Sequence, residues 1–255
     1  MTSPRILIYG TCCLSDATLR ELIKLWERCI DSQNPDCDVV MIDAPGPYGV
    51  EKVLRPPKWS WETESGHIYR ADPIDYGLMH RWVYSFTENA GHLNRGGKDG
   101  AGRAFMQGMM IAMQRGYDYC VHVEGDLIMT RPIRPWVERM HKHGIKCAAP
   151  FDSYYQFGEW GLSFFNVDWL RETNFMERYD WPRQTGLPIP EIKIEQLCGD
   201  EFFTLPIRGL RNDFHQVTRA HMTSAFPYGI DYITHCYKDF GIYAELMKRN
   251  GVPLT

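Results

Sequence analysis

The sequence predicts an α/β fold, with a mostly parallel central sheet flanked by helices. Two observations carry that expectation. The chain opens with an apolar run, a helical pattern and a second apolar run, the order of a βαβ unit. Near mid-chain, residues 119–123 (YCVHV) form another short, apolar, β-prone stretch, preceded by a helical segment and followed by two carboxylates.

Residues 5–10 (RILIYG) predict a first central strand that ends in glycine and Thr11. Asp16 can cap the next segment, where Leu19, Leu22, Ile23, Leu25, Trp26 and Ile30 fall near helical spacing. Residues 38–43 (DVVMID) predict a second buried strand, closed by the turn formers Pro45, Gly46 and Pro47. No Gly-x-Gly-x-x-Gly follows the first strand, so a dinucleotide site is not expected. Residues 50–94 show little sustained periodicity, although residues 76–87 predict a helix with Leu78, Trp82 and Phe86 on one side.

Residues 94–103 (NRGGKDGAGR) make a glycine-rich loop bearing three cations just before a helix. Its backbone amides, the helix N-terminus, and Lys98 or Arg103 would suit a diphosphate; a solvated turn is the alternative. The helix is expected to bury Phe105, Met109, Ala112 and Met113. The strand at 119–123 then meets Glu124, Gly125 and Asp126. Two carboxylates one residue apart project to the same side of an extended chain, and the glycine allows a sharp turn or a close approach. That pattern can chelate a hard cation. Mg²⁺ or Mn²⁺ held by one or two carboxylates completes its shell with waters and substrate phosphates, which points to a nucleoside diphosphate. A lone Glu-x-Asp is more often a solvated turn, but open α/β sheets place their ligands at the carboxyl ends of such strands. Beyond it, Pro132 and Pro135 break the chain, residues 136–143 predict a short helix, and residues 145–150 a further strand.

The run from Lys98 to Pro132, with its glycine- and arginine-containing helix, hydrophobic strand and Glu124-Gly125-Asp126, resembles the core of GT-A fold glycosyltransferases of the inverting, family 2-like kind. Glu124 stands where that family has the first aspartate of Asp-x-Asp. The resemblance implies a metal-dependent enzyme that moves a sugar from a nucleoside diphosphate donor to a hydroxyl of a glycan or related acceptor. It implies Mn²⁺ or Mg²⁺ on Glu124 and Asp126, with His235 returning to the cation and Lys238 touching the diphosphate. Thr11 and Asp43 match the positions that hold base and ribose, and Gly125 lies in the cofactor-binding motif. Residues 158–170 resemble the segment lining the acceptor side, and Asp200 matches a general base at the start of a helix. Read from the residues alone, Asp43 is equally a strand-end turn former, Asp200 and Glu201 a capping pair, and His235 a structurally satisfied histidine. A single domain over 1–255 is expected, with a donor half at 1–130 and an acceptor half at 131–255.

A chain of 255 residues can bury a substantial core. With 44% hydrophobic and 24% charged residues, neither disorder nor a fibrous repeat is indicated. A formal net charge of -4 argues against nucleic acid as the main partner. No basic leader followed by an apolar stretch and no run of membrane-spanning length is seen, so a cytoplasmic protein is expected. The eight cysteines lack a Cys-x-x-Cys spacing and read as buried free thiols. Two other functions compete. A sugar nucleotidyltransferase would carry a glycine-rich basic signature after the first strand, which residues 10–15 (GTCCLS) lack. A non-catalytic glycan- or nucleotide-binding module would use the acidic triplet structurally.

Overall fold

Strand β1 (Ile6–Cys12) alternates its side chains between two cores. Ile6 and Ile8 join the apolar cluster that includes Leu22, Trp26 and Ile30 of helix α1 (Ala17–Gln33), while Leu7 and Tyr9 join the one that includes Phe105 and Met109 of helix α2 (Gly100–Arg115). A strand buried on both faces is apolar throughout, which is why this stretch shows no polar alternation. The structure is a computed structural model that describes residues 3–12, 17–43, 60–63, 66–70, 82–86, 99–129, 131–152, 157–180, 189–211 and 231–234.

Four parallel strands form the middle of the main sheet. Strand β2 (Asp38–Asp43) lies beside β1, β5 (Trp82–Phe86) beside β2, and β6 (Tyr119–Val123) on the other side of β1. The hairpin of β3 (Ser60–Thr63) and β4 (Gly66–Arg70) extends it beyond β5. On the far side of β6 come β10 (Leu162–Asn166), antiparallel to it, then β8 (Cys147–Asp152) and β11 (Phe202–Leu205). The short β9 (Phe157–Gly158) pairs with β8. A smaller sheet joins β12 (Gly209–Arg211), β13 (Tyr232–Thr234) and β7 (Ile128–Met129).

The expected βαβ start is present, with α1 between two parallel strands. Asp99 caps α2 by accepting from the Gly102 amide at 2.8 Å, and Tyr179 donates to its other oxygen. Helix α2 therefore begins at Gly100, and Arg103 sits in its first turn rather than in a loop. Helix α3 (Arg134–His143) and β8 fall close to their predicted positions. After β10, Asn166 caps helix α4 (Val167–Glu172) through the Trp169 amide, so the aromatic strand, the Asn turn and the helix follow as expected. Helices α5 (Phe175–Tyr179) and α6 (Pro190–Cys198) lead to the last strand of the main sheet.

Two expectations are corrected. Residues 82–86 form a strand, not part of a helix: Trp82 to Ser85 pair with Val40 to Asp43 of β2, and this pairing overrides the helical spacing of Trp82 and Phe86. The rest of residues 76–87 lies outside the described residues. Asp200 does not open a helix. It lies in a single 3-10 turn, Gly199–Glu201, after the end of α6, where Gly199 adopts φ +51° and the chain turns into β11. Among the described residues the expected free thiols are found: Cys29, Cys37, Cys120, Cys147 and Cys198 are buried and unbridged, and Cys12 is half-buried, while Cys13 and Cys236 lie outside the described residues.

Candidate active site

The carboxyl ends of β1, β2, β5 and β6 share one edge of the sheet, and the acidic triplet occupies it. At the end of β6 the Glu124 amide donates to the Gly161 carbonyl at 2.8 Å, and the Gly125 amide to the Thr11 carbonyl at 2.9 Å. The Leu127 amide returns to the Glu124 carbonyl at 2.9 Å. Glu124, Gly125 and Asp126 thus form a tight turn stapled to both neighbouring strands, the sharp turn that the intervening glycine allows. Close approach requires the glycine: a Cβ at Gly125 would lie 2.7 Å from Ile23 Cδ1 and 2.9 Å from both Cys12 Cβ and the Thr11 carbonyl oxygen.

Glu124 and Asp126 are half-buried. A second carboxylate stands near Glu124. A Cβ at Gly161 would lie 2.9 Å from Glu124 Oε2 and 3.0 Å from Glu159 Oε1, so both side chains flank the glycine. Glu159 is buried, at 5% exposure, and accepts from the Gly161 amide at 3.1 Å. Sequence reasoning missed Glu159, although a lone carboxylate between Gly158 and Gly161 was a visible signal.

Asp43 ends β2 opposite Cys12 and is 2% exposed. Arg103 is buried with its guanidinium 3.9 Å from the centroid of the Phe86 ring, one residue past Ser85, the partner of Asp43. Thr11, Asp43, Arg103, Glu124, Gly125 and Asp126 are therefore gathered at one edge. β13 runs antiparallel to β7 with Ile233 opposite Ile128, which brings its last residue, Thr234, to the level of Leu127. Lys98, His235 and Lys238 lie outside the described residues.

Asp200 is not brought to this edge. Phe202 lies opposite Cys147, Cys147 opposite Phe165, and Phe165 opposite Cys120. Asp200 precedes that level, whereas Glu124 lies four residues beyond it. At about 3.3 Å per residue and about 4.8 Å per strand, Glu124 lies ~13 Å along the sheet beyond the level of Phe202 and ~14 Å across it, with Asp200 further back still.

A histidine that sequence reading left inside its strand joins the two sides of the site. His122 Nε2 lies 2.9 Å from Thr11 Oγ1, and Nδ1 lies 2.7 Å from the Trp160 carbonyl oxygen. Its ring packs against Tyr9 and Phe105, with centroids at 5.1 and 4.9 Å. Burial pushes its pKa from 6.5 down to about 4, against a smaller upward pull from the Trp160 hydrogen bond.

Among the described residues, no three His, Cys, Asp or Glu side chains gather around a metal position. Glu124 and Asp126 nonetheless fit a hard cation that is held by one or two carboxylates and shares its remaining positions with water and phosphate. The site is otherwise short of basic side chains among the described residues, Arg103 being the cation that its first-turn position brings to this edge.

No protein-family model matches the chain, and no curated protein matches it in sequence. Its backbone does match solved structures. The WbbM bifunctional glycosyltransferase superposes with a TM-score of 0.53 at 10% identity, over 98% of this chain and 50% of that one. An active-site mutant of LgtC superposes with a TM-score of 0.50 at 10% identity, over 98% and 97% of the two chains. A glycosyltransferase involved in glycosylation of the major capsid of PBCV-1 gives 0.50 at 12% identity, over 98% and 100%. The chain has the GT-A fold. The second and third superpositions span nearly the whole of both chains, so the GT-A likeness reaches well past the stretch 98–132 that first suggested it. Within this GT-A fold, the acidic turn after β6 sits at the central edge of the sheet rather than on a peripheral loop.

Proposed function

We propose that this chain is a glycosyltransferase that moves a sugar from a nucleoside diphosphate donor to a hydroxyl of a glycan or related acceptor, with Mn²⁺ or Mg²⁺ as cofactor. The observation that carries this reading is the turn of Glu124, Gly125 and Asp126, pinned between β1 and β10 at the carboxyl edge of a GT-A sheet. A divalent cation held there by Glu124 and Asp126 would neutralise charge on the departing diphosphate. Residues 1–130 form the donor half in this reading, and residues 131–255 the acceptor half.

Each donor-side residue has a task. Thr11 and Asp43 meet base and ribose at the ends of β1 and β2, and Arg103 supplies positive charge for phosphate oxygens from the first turn of α2. His235 is a further ligand for Asp126's cation, a role supported by β13 ending at the level of Leu127. Lys98 and Lys238 complete the phosphate contacts. Acceptor activation by Asp200, and with it inversion, is not part of the proposal, because that carboxylate stands at the opposite end of its strand from the acidic turn.

The test is a thermal-shift screen of UDP, GDP, CDP and dTDP with and without Mn²⁺, followed by donor hydrolysis with the matching nucleotide sugar. A metal-dependent shift with at least one nucleotide is expected, together with metal-dependent hydrolysis that Asp126→Ala abolishes. Hydrolysis that survives Asp126→Ala refutes the site. Binding without turnover across varied acceptors would instead identify a binding module.

A further inference from the structure

Two of the buried thiols meet. Cys147 opens β8, with Phe165 of β10 opposite it on one side and Phe202 of β11 on the other. Cys198 is the last residue of α6, just before the Gly199–Glu201 turn that carries the chain from that helix into β11. The turn folds back against β8, where the Cys147 thiol donates to the Glu201 carbonyl at 3.3 Å. Its only proton is spent there, so in the hydrogen bond that joins the two cysteines Cys198 is the donor and the Cys147 sulfur the acceptor. Both side chains belong to the apolar cluster that holds Ile194 and Leu197 of α6. Two free sulfurs already in hydrogen-bond contact need little backbone movement to bond. Their surroundings make the reaction slow in the closed form: the bond to Cys147 and burial hold the Cys198 thiol far above its usual pKa, against a downward pull from Arg178. The cover is thin, however. Gly199, Asp200 and Glu201 are exposed, and a single 3-10 turn opens at lower cost than the sheet beneath it.

We propose that Cys147 and Cys198 form a redox-sensitive pair that hydrogen peroxide converts to a disulfide, stapling the end of α6 to β8. Opening of the turn admits peroxide to the Cys198 sulfur; the O–O bond breaks and gives a Cys198 sulfenic acid and one water. On closing, the Cys147 sulfur attacks the Cys198 sulfur, the S–O bond breaks, and the hydroxyl leaves with the Cys147 proton as a second water. The two thiols lose two electrons and two protons, which the peroxide takes up. Through α6 the staple reaches the carboxyl edge of the sheet. Glu195, one turn before Cys198, accepts from the Gly158 amide at 3.0 Å. Gly158 leads within three residues to Gly161, whose carbonyl holds the Glu124 amide. Oxidation therefore fixes the helix that supports the segment beside the acidic turn.

The test takes the full chain, reduced and freed of reductant, and exposes it to excess hydrogen peroxide in EDTA near neutral pH. Remaining thiols are then blocked in acidic urea and the protein is mapped without reduction. Expected is a linked pair of peptides holding Cys147 and Cys198, about 2 Da lighter than the two thiol peptides and split by dithiothreitol. The oxidised protein is expected to melt about 5 °C or more above the reduced one, because the new bond closes the long loop between the two residues. Cys198→Ala and Cys147→Ala are each expected to lose both the link and the shift; the wild-type map and melting curve decide the matter if neither variant folds. Recovery of both cysteines as thiols, recovery of Cys198 as an unlinked sulfinic acid, or a link from either residue to a different cysteine overturns the proposal. A link between the two that leaves the melting temperature unchanged overturns the staple. These readouts involve no nucleotide or metal, so they hold whether or not the donor site does.

Discussion

Replacing His122 with glutamine is expected to flatten the acid limb of the protein's stability curve. In the folded chain burial lowers the His122 pKa to about 4, against 6.5 for an exposed histidine. Between those values the unfolded chain binds a proton that the folded chain refuses, so stability falls as the pH drops. The contribution is complete above pH 6.5 and is lost as pH falls toward 4. Each pKa unit of difference is worth about 1.4 kcal/mol, so the whole effect is ~3 kcal/mol, most of which is gone by pH 4.5. Glutamine can still donate and accept, but it does not titrate. The assay is urea unfolding of both proteins in EDTA at pH 7.5, 6.5, 5.5 and 4.5. Carboxylates titrate in the same range, but they are common to both proteins and cancel in the difference. The wild type should lose about 2–3 kcal/mol more than His122→Gln across the series. Parallel curves would refute the claim that His122 is buried as a neutral ring.

Gly125→Ala should cost about 1–3 kcal/mol in chemical denaturation, because the new methyl meets the Thr11 carbonyl and Cys12 Cβ, neither of which can swing aside; an unchanged midpoint would show that β1 and the acidic turn are not in close contact. Asp200→Asn is expected to leave sugar transfer within about twofold of wild type, given the register that separates it from Glu124; a loss of 10²-fold or more in kcat would restore it as the base. Among the six described cysteines, Cys12 should be the first alkylated by iodoacetamide at pH 7.5, since it alone is half-exposed, burial raises the pKa of Cys29, Cys37 and Cys120, and a hydrogen bond with Cys147, together with burial, raises that of Cys198. Peptide mapping that finds Cys29 or Cys120 labelled first would refute that packing.

The parts of the fold legible in the sequence are those whose local pattern and tertiary setting agree. Residues 38–43 were read as a strand to the residue, because a run buried on both faces has no competing period. The body of the Gly100–Arg115 helix was legible from its apolar face, while its first turn, capped by Asp99, was read as loop. Trp82 to Phe86 failed because their i, i+4 aromatic spacing also fits a helix, and only the β2 partner strand decides between the two. The expected helix start at Asp200 failed because an acidic pair after glycine looks the same whether the chain is starting a helix or leaving one.

The candidate site divides along the same line. Glu124 and Asp126 were visible because both carboxylates lie in one turn, two residues apart. The parts that join β1, β6 and the turn before β10 are contacts between segments distant in sequence: Thr11 with His122, and His122 with Trp160. No window of sequence contains such a pair, and a histidine inside an apolar strand reads as core. It is core by burial, with both ring nitrogens engaged on opposite sides of the site. The structure thereby assigns His122 a role that burial alone would hide, since an apolar residue there would pack as well but leave the Thr11 hydroxyl and the Trp160 carbonyl to choose their own partners.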